Sequence, residues 1–227
     1  MNEESVEQLV ELTLQGNTDA LAELALRAEQ ADHKYLTGML NDRGFQRELE
    51  KEESRVQRGQ SIGGIVMNID LAGFKRINDT HGYDEGGNLI LKEFANHMKR
   101  FGFRNTDIIA NPGGDEFFAV MTNAQMVAPD YKYDPQNSKQ SFLAATNPKH
   151  SAWLRTEQFI RSSRMLGFSG IDKNGEPYTD TVSARITVSE YGDPETGQPS
   201  LRDAIKHSDK QTKTLKSLLK YYVIGGR

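Results

Sequence analysis

The chain has 227 residues, of which 36% are hydrophobic, and this suffices for one sizeable core but hardly for two full domains. A formal net charge of -4 provides no overall basic surface, so we expect no nucleic-acid partner. The lack of cysteine excludes disulfides, thiolate chemistry and cysteine-bound zinc, which leaves oxygen or histidine ligands for any metal. No apolar run reaches the roughly 20 residues that span a bilayer, and the chain starts with the acidic MNEESVEQ, unlike a signal peptide. We therefore expect a cytoplasmic protein without a membrane partner.

The first part of the chain is predicted to be helical. Residues 3–31 carry apolar side chains at helical spacing and are interrupted by Gly16, which predicts two short helices. A third, highly charged helix is predicted over residues 42–57. We expect residues 1–33 to form a separate helical segment whose apolar stripe packs on the rest of the chain or forms a dimer contact.

A buried strand and a hairpin follow. The run IGGIVMNID is rich in Ile and Val and predicts a strand that ends at Asp70, at the edge where α/β sheets usually bind ligands. Residues 85–100 have the periodicity of an amphipathic helix. Residues 106–111 and 116–122 are β-type runs joined by a Pro-Gly-Gly turn, which predicts a hairpin with two carboxylates beside its tip.

The second half of the chain begins with an insertion and continues with alternating elements. Residues 123–150 lack periodicity and carry three prolines, so they are predicted to be a long loop. After them we expect a helix over 151–166, a hairpin turned by Asn174 and Gly175, a strand through 186–189, a helix over 201–220 and a last short strand, YYVI, over 221–224. This order predicts an α/β sandwich with a central mixed, mostly antiparallel sheet flanked by helices.

Three carboxylates would come together if these strands pair in one sheet: Asp70, Asp115 and Glu116. Such hard oxygen ligands, without sulfur, suit Mg²⁺ or Mn²⁺. Positive charge for phosphate groups is available from Lys75, Lys216 and Lys220. Together these residues are typical of a phosphoryl-transfer site. Carboxylates beside a glycine turn also occur in ordinary solvated loops, and lysines on a helix form solvated faces, so the residues alone leave both interpretations open.

Five stretches of the chain resemble, in order, the motifs of one known family. They are LTGMLNDRGF at 36–45, DLAGFKRINDTHGYDEGG at 70–87, GGDEF at 113–117, SARITVSEYG at 183–192 and HSDKQTKTLK at 207–216. They resemble the GGDEF domain, whose active members are diguanylate cyclases that join two GTP molecules into cyclic di-GMP. The resemblance covers about residues 35–225 without the insertion, and four motifs in the right order beside the signature make coincidence very improbable. It implies a sheet like that of nucleotide cyclases and polymerase palms.

The resemblance implies a metal site and catalytic residues within a catalytic domain over 34–227. Asp70 and the carbonyl of Leu71 would bind Mg²⁺ or Mn²⁺, and Asp115 or Glu116 would complete the site and help to activate the attacking 3′-hydroxyl. Lys75 would act beside them on the triphosphate. A single site holds only half of the product, so the resemblance also implies a homodimer.

The same resemblance implies contacts to the substrate. Phe74 would face the triphosphate together with Lys75, and Asn78 would hydrogen-bond the guanine of GTP. The backbone of the signature turn would lie against the nucleotide, and the last helix would reach its phosphates; the residues concerned are Gly113, Gly114, Lys216 and Lys220.

A second ligand site is implied by Arg104 and Asp107. They stand where the family has its Arg-x-x-Asp product-inhibition site, which would bind cyclic di-GMP, although a surface ion pair is the ordinary alternative. Two hypotheses of different class follow. The chain is either a cyclase, or a catalytically silent receptor that binds cyclic di-GMP or GTP and signals through partners.

The chain departs from the family pattern at several positions. Gly87 stands where a second guanine-binding aspartate is usual, so guanine selectivity is expected to be relaxed and a mixed cyclic dinucleotide becomes a third possible product. Asn111 replaces the usual arginine before the signature, Lys34 replaces the usual aspartate of the opening motif, and Lys220 stands where arginine is common.

Overall fold

The computed structural model describes residues 5–124 and 148–224. Within these ranges the chain forms a five-stranded sheet in the order β2-β3-β1-β5-β4, and every pair of neighbouring strands is antiparallel. The one parallel element is an isolated bridge between Leu40 and Ala110. The strands are β1 (Gly64–Ala72), β2 (Ile108–Ala110), β3 (Glu116–Thr122), β4 (Leu166–Ile171) and β5 (Pro177–Tyr191). The α/β fold with a mostly antiparallel sheet is therefore confirmed.

The described helices cover both faces of this sheet. They are α1 (Val6–Leu14), α2 (Thr18–Ala31), α3 (Asp42–Gln57), α4 (Phe74–His81), α5 (Leu89–Arg100), α6 (Pro148–Ser162) and α7 (Leu201–Ile224), with a π-helical turn at Tyr83–Asn88 and a 3₁₀ turn at Pro194–Thr196. Side chains of β1 alternate between two cores, as the period of a strand requires. One core joins β1 to α4, α5 and α6 through Ile69, Ile77, Phe94 and Phe159, and the other joins it to α3 and α7 through Val66, Phe45 and Leu201.

The N-terminal helices form a hairpin that leaves apolar side chains uncovered. α1 begins at a capping box in which Ser5 and Gln8 bond each other's backbone N–H groups, and Asn17 caps α2. The predicted pair of short helices is thus confirmed. The exposed apolar side chains on this hairpin are Val6, Val10, Leu14, Leu21 and Leu26. The dimer contact expected for residues 1–33 stays a prediction.

Several other boundaries can be compared with the sequence-based expectations. The helix over 42–57 and the hairpin of β2 and β3 are confirmed. The short helix α4 was not predicted, and the helix expected over 85–100 begins with a π-helical turn. The helix expected over 151–166 ends at Ser162, because Leu166 already starts β4. Residues 125–147 of the expected insertion lie outside the described residues.

The expected last strand is wrong. Residues 221–224, YYVI, lie in the last turn of α7, which runs on without a break from Leu201. The β propensity of Tyr, Val and Ile depends on a neighbouring strand, and here the sequence continues a helix instead. Among the described residues, no helix combines the length and the apolar composition that crossing a bilayer requires.

Candidate active site

Three paired strands bring one arginine and two carboxylates into a row. In the antiparallel ladders Asp70 of β1 lies opposite Glu116 of β3 on one side and Arg185 of β5 on the other. Residues directly opposite each other point to the same face of a sheet, with Cβ atoms about 5 Å apart. The convergence expected for Asp70 and Glu116 is therefore present in the fold.

Arg185 is the member of this row that the sequence analysis missed. Its Nε donates to Oδ2 of Asp70 at 2.9 Å, and its Nη2 bonds the same oxygen. The Asp70 side chain is 0% exposed and the Arg185 side chain 27% exposed. A buried carboxylate needs a positive partner or hydrogen bonds, and Arg185 supplies both to Asp70.

The signature turn is held in place by Asn111. Its Nδ2 donates to the carbonyl oxygens of Gly113 at 2.6 Å, Gly114 at 3.1 Å and Glu116 at 2.8 Å. Asn111 is only 1% exposed. The Asn111 amide thus acts as a clamp for the turn.

Lys34 reaches the same turn from the opening motif. Its Nζ donates to the carbonyl oxygen of Gly113 at 3.1 Å, and burial lowers the pKa of Lys34. Asn111 and Lys34 therefore converge on one backbone carbonyl. The β1 side of the turn is tied by the Leu71 N–H, which donates to the carbonyl of Asp115 at 3.2 Å.

The two glycines of the turn leave open space. A Cβ at Gly114 would meet nothing within 4 Å among the described atoms, and one at Gly113 would meet only Glu116 at ordinary contact distance, 3.5 Å. Neither glycine has a positive φ. Neither crowding nor backbone conformation requires glycine at these two positions. The absence of side chains instead leaves room for a ligand to lie against the backbone.

The region expected to bind the substrate base and phosphates is formed by α4 and the π-helical turn. Gly73, with φ of 86°, precedes α4, where Phe74 is half-buried and Lys75 exposed. A Cβ at Gly87 would lie 2.0 Å from Oδ1 of Asn78. This Oδ1 is buried and accepts no hydrogen bond from the part of the chain that the structure describes. The Asn78 amide thus fills the space that a side chain at position 87 would need.

The last helix passes over the Asp70 face of the sheet. Thr187 of β5 anchors it, with Oγ1 3.0 Å from the Ser208 carbonyl and 2.9 Å from Oγ1 of Thr212. The next residue, Lys213, is exposed. Its hydrogen bond to Asp209, together with the charges of Asp209 and Glu116, raises the pKa of Lys213. The side chains of Lys216 and Lys220, which were expected to reach the phosphates, lie outside the described ones.

Arg104 and Asp107 lie at the far end of the hairpin from the signature turn. Asp107 accepts the Arg104 N–H at 2.8 Å and the Thr122 N–H at 3.2 Å, and its side chain is 1% exposed. Thr122 and Glu116 are the two ends of β3, about 20 Å apart at the rise of a strand. The Asp107 carboxylate therefore stabilises the loop before β2, and its product-inhibition role stays a prediction.

The donor set of the row fits a magnesium ion. Among the described residues, no group of three or more His, Asp or Glu side chains is close enough to hold a metal. Mg²⁺ commonly uses one or two protein carboxylates and completes its octahedron with water and substrate phosphates. Asp70 and Glu116, opposite each other beside an open turn, meet that requirement.

The chain is similar to known proteins of one family. A family model described as diguanylate cyclase, GGDEF domain, matches residues 31–152, more than half of the chain. Diguanylate cyclase DgcS of Shewanella oneidensis is 36% identical over 92 residues, which are 40% of this chain and 30% of that protein. Probable diguanylate cyclase DgcE of Escherichia coli is 26% identical over 172 residues, 76% of this chain and 15% of that protein. The chain thus spans less than a third of the length of either relative.

A solved structure supports the fold over nearly the whole chain. The coiled coil and GGDEF domain of DgcB from Caulobacter crescentus, solved in complex with c-di-GMP, has a TM-score of 0.58 at 19% sequence identity. The match covers 97% of this chain and 97% of that one. At this identity the likeness concerns the fold alone.

Proposed function

The chain belongs to the GGDEF domain family, and from this membership we propose that it is a diguanylate cyclase. It would condense two GTP molecules into cyclic di-GMP and release pyrophosphate. The observation that carries the proposal is the pairing of Asp70 with Glu116 across β1 and β3, beside a turn whose glycines leave room for a nucleotide. The DgcS and DgcE relatives, which are named as cyclases, support the same reaction.

The residues of this site suit the chemistry of that reaction. The 3′-hydroxyl oxygen of each GTP forms a bond to the α-phosphorus of the other, the bond from that phosphorus to the bridging oxygen of its β-phosphate breaks, and two pyrophosphates leave in all. The hydroxyl proton passes to a carboxylate of the signature, Asp115 or Glu116. Lys75, exposed in the first turn of α4, provides a cation for the triphosphate, and Phe74 flanks it. Bound Mg²⁺, held by Asp70 and Glu116 with the Leu71 carbonyl, would neutralise charge on the phosphate oxygens.

We further propose that the active form is a homodimer, because each protomer binds only one of the two nucleotides. The apolar side chains exposed on the hairpin of α1 and α2 support this proposal, since their burial between two copies would stabilise the pair. Val6, Val10 and Leu14 recur on α1 at a spacing of four residues, as a helix contact requires.

Turnover of GTP tests the proposed function directly. The purified 227-residue chain is incubated with GTP and Mg²⁺, and both pyrophosphate and the cyclic product are measured. We expect product from the wild type and only background from Asp70→Asn, which removes a charged metal ligand. Asp203→Asn, which changes an exposed carboxylate at the start of α7, is the matched control and should keep wild-type turnover. Wild-type rates in Asp70→Asn would refute the metal site.

The second candidate function is a silent receptor for cyclic di-GMP or GTP. It is favoured by the missing carboxylate at Gly87 and by the arginine that already holds Asp70. Arg104, exposed beside Asp107, would then contact the cyclic dinucleotide. Binding of cyclic di-GMP without any turnover of GTP, together with loss of that binding in Arg104→Ala, would establish the receptor instead of the cyclase.

A further inference from the structure

The carboxylate of Asp70 already has a cation of the chain's own against it. Arg185 bonds Oδ2 of Asp70 through both Nε and Nη2, so its two contacts end on one oxygen atom. The carboxylate has no exposed surface, whereas the guanidinium is partly exposed. A divalent cation that binds either oxygen of this carboxylate would therefore lie close to the guanidinium.

Two cations cannot share that carboxylate at low cost. Mg²⁺ binds carboxylate oxygens at about 2.0–2.1 Å and carries two positive charges, so it repels a guanidinium hydrogen-bonded to the same carboxylate. We propose that Arg185 is an internal counter-ion that competes with the divalent metal for the charge of Asp70 and so lowers the affinity of this site for the metal. This inference rests on the proposed function, in which Asp70 is a metal ligand.

The charges of Asp70, Glu116 and Arg185 determine whether replacing Arg185 raises or lowers the affinity for a divalent cation. Glu116 and Asp70 are both acidic and stand side by side, with Arg185 as the cation on the other flank of Asp70. Lys213 contributes a further positive charge near Glu116 but is exposed and hydrogen-bonded to Asp209. Replacing Arg185 with neutral glutamine removes the competitor and leaves two adjacent carboxylates. Their affinity for a divalent cation should rise by about tenfold or more, the effect of losing one nearby charge at a partly exposed site.

An ordinary structural ion pair makes the opposite prediction. If Arg185 only stabilised the fold, its loss would loosen the pairing of β1 with β5 and weaken metal binding along with stability. A gain in metal affinity in a less stable variant separates the two explanations. In addition, Mn²⁺ should raise the melting temperature of Arg185→Gln by more than that of the wild type.

Titration with Mn²⁺ alone tests the inference. Bound Mn²⁺ is followed by loss of the free-ion electron paramagnetic resonance signal, with the whole 227-residue chain at neutral pH and low ionic strength. Relative to the wild type, the Kd should fall by about tenfold in Arg185→Gln and by less in Arg185→Lys, which keeps a charge but loses the two-point contact. Arg202→Gln is the matched control, since Arg202 pairs with Glu53 on the outside of α3 at 3.1 Å. Asp70→Asn should lose the binding.

The possible outcomes separate this inference from the proposed function. If Asp70→Asn loses Mn²⁺ while Arg185→Gln binds it no tighter than the wild type, the inference is wrong and the metal site stands. If neither the wild type nor Arg185→Gln binds Mn²⁺, the metal site fails and the inference fails with it. Circular dichroism verifies the fold of each variant. Should Arg185→Gln not fold, an unchanged or raised Kd in Arg185→Lys would overturn the inference, and a lowered one would support it.

Discussion

Introducing a carboxylate at Gly87 tests how the protein distinguishes guanine from adenine. The Cβ of a new side chain would lie 2.0 Å from Oδ1 and 3.0 Å from Cγ of Asn78, so the Asn78 side chain must rotate. This movement breaks no hydrogen bond to Oδ1 within the described part of the chain. The φ of Gly87 is not positive, so Gly87→Asp introduces no backbone strain.

The size of the expected preference for GTP over ATP follows from the hydrogen bonds that such a carboxylate can accept. Guanine offers its N1–H and its exocyclic amine, whereas adenine presents an acceptor at N1. Charge-assisted hydrogen bonds of this kind contribute about 1.5 to 3 kcal/mol, which is roughly a tenfold to hundredfold preference. The wild type, which has only the Asn78 amide here, should therefore use ATP beside GTP and form some mixed cyclic dinucleotide. Gly87→Asp should prefer GTP by at least about ten times more than the wild type.

Competition between GTP and ATP in one reaction, with the products separated by chromatography, measures this preference. Gly87→Ala is the control, because its Cβ displaces Asn78 in the same way but adds no carboxylate. It should not sharpen the preference for GTP. Strict use of GTP by the wild type would refute the reasoning, since another residue would then have to recognise the base.

Three further predictions concern other parts of the chain. Deleting residues 3–31 should lower turnover, and a higher protein concentration should restore part of it by mass action. Lys34→Met keeps the length of the side chain but loses the bond to the Gly113 carbonyl, so turnover should fall by about fivefold, or 1 kcal/mol, with the fold intact. Tyr191→Phe loses the hydrogen bond to Glu52, which should lower the free energy of unfolding at pH 7 by about 1 kcal/mol. Burial, with the charge of Glu52, raises the pKa of Tyr191, so the folded wild type keeps a proton that the unfolded chain releases, and its stability falls as the pH rises above 10.0.

Each of these three predictions would be contradicted by a specific experimental result. A shortened protein equally active at every concentration would exclude the N-terminal helices from the mechanism. Unchanged turnover in Lys34→Met would mean that Asn111 alone holds the turn. Denaturant unfolding at pH 7 and at pH 11 compares the wild type with Tyr191→Phe. The difference in stability should shrink at the higher pH, and a constant difference would contradict the raised pKa.

The sequence was sufficient to predict that Asp70 and Glu116 are neighbours in the site, because the strands that carry them are recognisable locally. Asp70 ends an apolar run, and Glu116 begins the run after the glycine turn, so their meeting required only that these strands pair. No role was predicted for Arg185, which directly precedes the strand expected through 186–189. Its position beside Asp70 depends on the register of β1 against β5, and the two residues are more than a hundred positions apart in the sequence. A contact of that kind has no local signal.

The missed and misplaced elements have local causes. FKRINDTH, the helix α4, contains just two apolar residues, too few for a periodic pattern over eight positions. Its start depends on Gly73 in the left-handed conformation, which resembles a loop in sequence. The run YYVI carries strand-forming side chains, yet it continues a helix that had already started twenty residues before. For α4 and for the run YYVI, the length of the segment and its place in the chain determined the structure, and residue composition alone did not predict it.

The central position of β1 also determines when the site can form during synthesis. β1 and β3 are available once residue 122 has left the ribosome, but β5, which supplies the other neighbour of β1, follows only at residues 177–191. Closing such a distant pairing is slow, and until it occurs one edge of β1 has no strand beside it. Arg185, which neutralises Asp70, is synthesised 115 residues after it. A nascent chain that stops short of β5 should therefore remain open at the site itself, accessible to proteases and chaperones, although most of its helices have already been made.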